Sequence, residues 1–389
     1  MHTAQTSPPQ PLIDWDRARK VALKVSRWEQ APLHDRAYRQ AQYARIVAQC
    51  EPRIAEYLGV SLPQPITRVY VLDRREWLEA NFSSFEQLLA PIEEIYQRRA
   101  RHRGGVNLLA GDIQRSLLSV QTGVLLGFLG RRVLGQYDLS LLSPDPSTQG
   151  SLYYVEPNIK MVQAGLGLSD EEFRLWIALH ETTHVFEFEA YPWVLPHFRR
   201  LIRDYFDQVS EQVDTLGSGL WRLVGRVGQH MGSRGGVERL GRSLWHLVSG
   251  AEPAPGGDNT HHWIEMVLTD EQRRIFDQLQ ALMSLVEGYS NHIMNAVGKQ
   301  LLPSFALIEQ RMEQRKRSRP LMERIFYRLT GMDLKLVQYE QGETFVATVV
   351  RERGMAFASQ VWEGAENLPT LEEIRHPQQW IERIECQKP

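Results

Sequence analysis

Two cysteines in 389 residues, Cys50 and Cys386, are too few and too far apart for a disulfide framework. They fit a reduced, cytoplasmic setting. An excess of one charge is also missing. Forty-five Lys and Arg against 47 Asp and Glu leave a formal net charge of −2, which gives no support for whole-molecule attraction to nucleic acid or a membrane surface. The first dozen residues carry three prolines and no apolar core, so they read as a disordered tail over 1–14 rather than a signal peptide. Long hydrophobic runs are absent as well. The most apolar stretch, Gly123 to Gly130, is too short to span a bilayer. Its glycine spacing fits a closely packed buried helix better than a membrane pair.

What is present belongs to a globular chain: 42% of residues are hydrophobic and 24% charged. Helical periodicity runs through Asp35–Tyr57, Trp77–Tyr96, Glu271–Val297 and Leu334–Arg353, with a final helix capped by Thr370 and Glu373. Val69–Leu72 reads as a short strand and Ser151–Val162 as extended. The expected fold is therefore mainly α with a small sheet, in one compact unit without true linkers. Its parts are a mostly helical region over 15–150, a region carrying the chemistry over 151–300, and a helical region over 301–389. An insertion over 216–259, rich in glycine and arginine, interrupts the middle region and is placed to form a lid, a contact surface or an inert excursion. The basic run Arg311–Arg319 lacks interleaved aromatics and reads as a solvated helix end, not a nucleic-acid patch. Nothing in the sequence bears on oligomeric state.

One passage names a chemistry: His180-Glu181-Thr182-Thr183-His184. Histidines four apart on a helix lie on one face, a turn apart, and both imidazoles can reach one ion. A glutamate directly after the first can take a proton from a water activated by that ion. This is the H-E-x-x-H arrangement of zinc hydrolases. Ser169 reads as the helix N-cap, with Glu172 closing a capping box, and Tyr191-Pro192 ends the run.

A catalytic zinc usually takes three protein ligands. The compact metzincin continuation is excluded, because Glu187 and Ala190 stand where a glycine and a histidine are required. The candidates for the third ligand are Glu187, Glu189, His197, His246, His261, His262, Glu265, Glu287 and His292. Glu187 would have to bend back along its own helix and reads as a surface charge. Glu287 lies beside a long apolar stripe, flanked by Met283 and Met294, where a carboxylate is costly unless a cation or several donors hold it. Asn291, one turn later, is placed to hydrogen-bond a ligating histidine. The competing reading pairs Glu287 with an arginine.

His180–Phe188 together with Leu285–Met294 resembles the zincin-like metallopeptidases of actinobacteria and related bacteria, labelled "hydrolase, deazaflavin-coenzyme-biosynthesis-associated". Val133–Asp138, Tyr154–Asn158, Leu334–Tyr339 and Leu368–Thr370 agree, so the resemblance spans about residues 10–385. It implies a zincin-like core embedded in additional helices. It implies a single zinc ion on His180, His184 and Glu287, with Glu181 as catalytic carboxylate. The family often carries an acid where this chain has Asn291. By likeness to zincin architecture, Leu152–Val155 would line the cleft and pair with extended substrate, although a plain interior strand fits equally. No residue pattern here would hold a deazaflavin coenzyme.

The expected activity is zinc-dependent hydrolysis of a peptide or other amide, with Glu181 as base. Tyr289 and His292 are candidate donors to the tetrahedral intermediate, although Tyr289 also fits the apolar stripe and His292 could simply support Glu287. The rival readings are a zinc-stabilised binding or regulatory protein without turnover, and a metal-free core in which the histidines only pack.

Overall fold

Helix α1 (Trp15–Ser26) starts where Asp14 accepts a hydrogen bond from the Arg17 backbone N–H. The computed structural model describes residues 11–30, 33–102, 108–138, 150–205, 207–208, 269–317 and 332–387. The insertion over 216–259 lies outside these residues. Part of the stretch read as a tail is ordered, because Ile13 is buried and the Leu12 N–H donates to Glu93. Further along come α2 (Arg36–Leu58), β1 (Val69–Leu72), α3 (Arg74–His102) and α4 (Leu108–Gly130). Helices α1 and α4 cross with almost no space between their backbones. A Cβ on Gly123 would lie 2.5 Å from the Ala18 carbonyl oxygen, and one on Gly127 the same distance from that of Ala22. The glycine-rich run is thus an internal helix seam. Among the described residues no helix is long and apolar enough to cross a membrane.

Strands β2 (Gly135–Asp138) and β3 (Ser151–Val155) complete a three-stranded mixed sheet in the order β1-β3-β2. β1 runs parallel to β3 and β2 antiparallel to it. The sheet therefore joins segments on both sides of the 150/151 boundary drawn from the sequence. The extended reading of Ser151–Val162 holds only as far as Val155, and α5 (Glu156–Leu166) begins at the next residue. Pro157, in the first turn, starts a helix at little cost, and Ile159 and Val162 share its buried face.

Helix α6 (Asp170–Glu189) carries the motif. Ser169 caps it as expected, but the Glu172 carboxylate accepts from the Ser304 N–H instead of closing the box. Arg174, fully buried, fastens α6 to its neighbours: its guanidinium donates to the Glu156 carboxylate and to the Tyr43 hydroxyl, 2.8 Å away, on α2. After a helical stretch at 194–205, α7 (Asp270–Leu301) opens on a complete capping box between Thr269 and Gln272. Helices α8 (Phe305–Arg317), α9 (Met332–Arg353), α10 (Leu371–Arg375) and α11 (Pro377–Cys386) close the molecule. Thr370 and Glu373 form the expected capping box on α10.

The main core lies between the sheet and helices α2, α5, α6, α7 and α9, and a smaller cluster sits between α1, α3 and α4. Helix α9 presses its backbone on α7: a Cβ on Gly288 would collide with the Gly342 carbonyl group, and one on Gly342 with the Ser284 carbonyl oxygen. Among the described residues the architecture is mainly helical with one small mixed sheet.

Candidate metal centre

The spacing of four residues on α6 stacks His180 and His184 with ring centroids 4.8 Å apart. Their Nε2 atoms face each other at 3.3 Å. Glu287, from the middle of α7, brings Oε2 to 3.9 Å from His180 Nε2. Among the described residues these three form a group whose ligand atoms all lie within 4.8 Å of one another. Two ligands at about 2.05 Å in a tetrahedron lie about 3.3 Å apart, so the histidine pair already has that separation and the carboxylate is slightly wide of it. Two imidazoles and a carboxylate also form one of the donor sets that catalytic zinc takes. The residues fit the ion.

Glu181 turns from the same helix toward β2. A Cβ on Gly135 would overlap the Glu181 side chain, so a larger residue there would displace the carboxylate, and the Tyr137 backbone N–H donates to it. Burial pushes Glu181 up to about 7, with His184 opposing the rise and Glu287 adding to it. A carboxyl group tuned to this range suits proton transfer near neutral pH. The cleft holds about 270 Å³, just below the usual range of small-ligand sites. β2 contributes Gly135, Gln136 and Tyr137; α6 contributes the motif residues and Phe188; α7 contributes Met283, Val286 and Glu287.

The remaining expected residues lie elsewhere. Tyr289 is buried with its hydroxyl 2.9 Å from Ser359 Oγ, and His292 Nε2 lies 2.8 Å from the Tyr57 hydroxyl. Neither lines the cavity. Positions two and five residues beyond Glu287 are turned about 200° and 140° around the helix from it. Of the other candidate ligands, Glu189 accepts from the Tyr137 hydroxyl and His197 contacts Arg200. His246, His261, His262 and Glu265 lie outside the described residues. Glu187 is not a surface charge: it is fully buried, with Oε2 2.7 Å from His184 Nδ1. The contacts expected of Asn291 on a histidine are made by Glu187 and by Ser290, whose Oγ lies 3.1 Å from His184 Nδ1. β3 is the middle strand, paired on both sides, so it offers no edge to a substrate; β2 lines the cleft instead.

Comparison with known proteins gives this geometry a family. Residues 13–381 match the zincin-like metallopeptidases. The chain belongs to that family. A crystal structure from Chloroflexus aurantiacus, described as that of "a putative hydrolase with a novel fold", shares 50% identity with this zincin-like chain. The match covers 96% of this chain and 99% of that one, with a TM-score of 0.68. No curated protein matches. Family and relative together support a metallohydrolase.

Sequence reasoning read Glu187 as a surface charge and did not single out Ser290 or Gly135. The first two had a signal, since each lies three residues after a candidate ligand on its own helix. Gly135, 45 residues before His180, had none.

Proposed function

We propose that this zincin-like protein is a zinc-dependent peptidase, or a hydrolase of closely related amides, using His180, His184 and Glu287 as ligands and Glu181 as base. The observation that carries the reading is that Glu287 of α7 meets the histidine pair of α6 in the cleft where Glu181 also lies. When bound there, zinc would supply Lewis-acid activation of a water and of the scissile carbonyl. Glu181, held by the Tyr137 N–H, takes the water's proton and delivers it to the leaving nitrogen. The closeness of β2 to Glu181 supports an extended substrate lying along that strand. Tyr289 and His292 are given no donor role, because Ser359 and Tyr57 hold them away from the cleft.

That same displacement favours the second reading, a zinc-stabilised binding protein without turnover, since both expected donors are engaged elsewhere. A Glu181→Gln variant separates the two. With a substrate found by screening peptide libraries against the zinc-loaded protein, this variant should retain zinc and lose at least about 100-fold in kcat. Undiminished turnover would remove Glu181 from the mechanism, and the absence of any cleavable peptide or amide would favour the binding protein.

A further inference from the structure

We propose that Glu187 is a positioning residue that, together with Ser290, fixes the tautomer and ring orientation of His184 and ties the two ligand-bearing helices into one preassembled centre. The inference rests on the reading of His184 as a zinc ligand.

Glu187 is fully buried, and so is Ser290. A carboxylate in such a place needs donors, and the surroundings supply them from two directions. His184 Nδ1 lies 2.7 Å from Oε2, on the same helix three residues earlier. Ser290 donates its hydroxyl to Oε1 at 2.9 Å from the opposing helix. The Ser290 oxygen also lies 3.1 Å from His184 Nδ1, so carboxylate, hydroxyl and imidazole form a closed triangle across the α6–α7 interface.

The chemistry of this triangle has one direction. An ionised carboxylate only accepts, so the Nδ1 facing it must carry hydrogen. In the neutral ring, Nε2 is then left with its lone pair, and Nε2 is the atom that faces His180. Glu187 thus selects the tautomer able to bind a metal and makes that nitrogen a better donor. Ser290 adds a second effect. It follows Glu287 by three residues on α7, so the bond from Ser290 to Glu187 sets the register between the helix that supplies two ligands and the helix that supplies the third. Asn291, the residue the sequence offers for this work, lies on α7 one position further round.

Zinc affinity of the full chain, measured by competition with a chromogenic chelator, tests the idea without any substrate. Replacing Glu187 with alanine should weaken zinc 10- to 100-fold, in the range typical for loss of a group supporting a ligand. Glu187→Gln, which keeps an acceptor oxygen, should recover much of that loss, and Asn291→Ala should leave affinity within about twofold of the parent. A parent-like affinity in Glu187→Ala, or an equal loss in Asn291→Ala, overturns the proposal. Should the alanine variant fail to fold, the unaltered protein gives an independent readout. Nitrogen-15 spectra of the zinc-loaded protein should show His184 with hydrogen on Nδ1 and the metal on Nε2. The opposite tautomer contradicts the proposal. Failure of the parent to bind zinc at all would instead defeat the ligand reading on which it rests.

Discussion

At the scale of single residues, the site turns on where protons sit. In the metal-free chain burial would depress His184, but the Glu187 carboxylate against Nδ1 outweighs it, with Glu287 and Glu181 adding to the rise. The ring is raised from its ordinary 6.5 to about 9. For a raised histidine, stability from the bound proton is fully present below the unfolded value and is lost as pH climbs through the folded one. Zinc needs the neutral ring, so below about pH 9 binding must expel that proton. Zinc affinity should therefore increase steadily between about pH 6 and 9, with proton release visible by calorimetry in buffers of different ionisation enthalpy. An affinity independent of pH across that range would show that His184 does not ligate. The histidine pair and Glu181 were legible in the sequence because a helix converts a spacing of four into contact. Tyr289 and His292 do not line the cavity, because proximity in sequence to Glu287 says nothing of which way each faces: two or five residues turn a side chain to another side of the helix.

At the scale of elements, the centre depends on how α7 is held between α6 and α9. Gly288 follows the candidate ligand directly, and Gly342 of α9 packs its backbone on Ser284, one turn before Glu287. A methyl at position 342 would run into the Ser284 carbonyl oxygen, and a backbone atom cannot step aside as a flexible side chain can. Gly342→Ala should therefore cost about 1–3 kcal/mol in urea denaturation. It should also weaken zinc by shifting Glu287. Unchanged stability would mean that the crossing is looser than described. The long helices α2, α3, α7 and α9 were readable from periodicity, α5 was read as extended, and Thr370 with Glu373 behaves as its residues suggest. Strand roles were not. Which of three short strands stands in the middle depends on pairing between segments some 80 residues apart, Val69–Leu72 with Leu152–Val155, and no local pattern encodes it. For the same reason the strand that abuts Glu181 was found only in three dimensions.

At the scale of the whole molecule, the ligands come from two helices separated by 80 residues of chain, so an ion bound between them would favour the folded state over the unfolded one. At free zinc about 1,000-fold above its dissociation constant, the gain is about 4 kcal/mol. Thermal unfolding should shift downward on chelation and return with added zinc, and a melting temperature indifferent to both would argue against a structural hold by the ion. The most direct test of the centre itself is an anomalous difference map from a zinc-loaded crystal, collected on either side of the zinc absorption edge. A single peak about 2.0–2.2 Å from His180 Nε2, His184 Nε2 and a Glu287 carboxylate oxygen is the predicted result. A map with no peak between α6 and α7, or with the ion held by other residues, would contradict it.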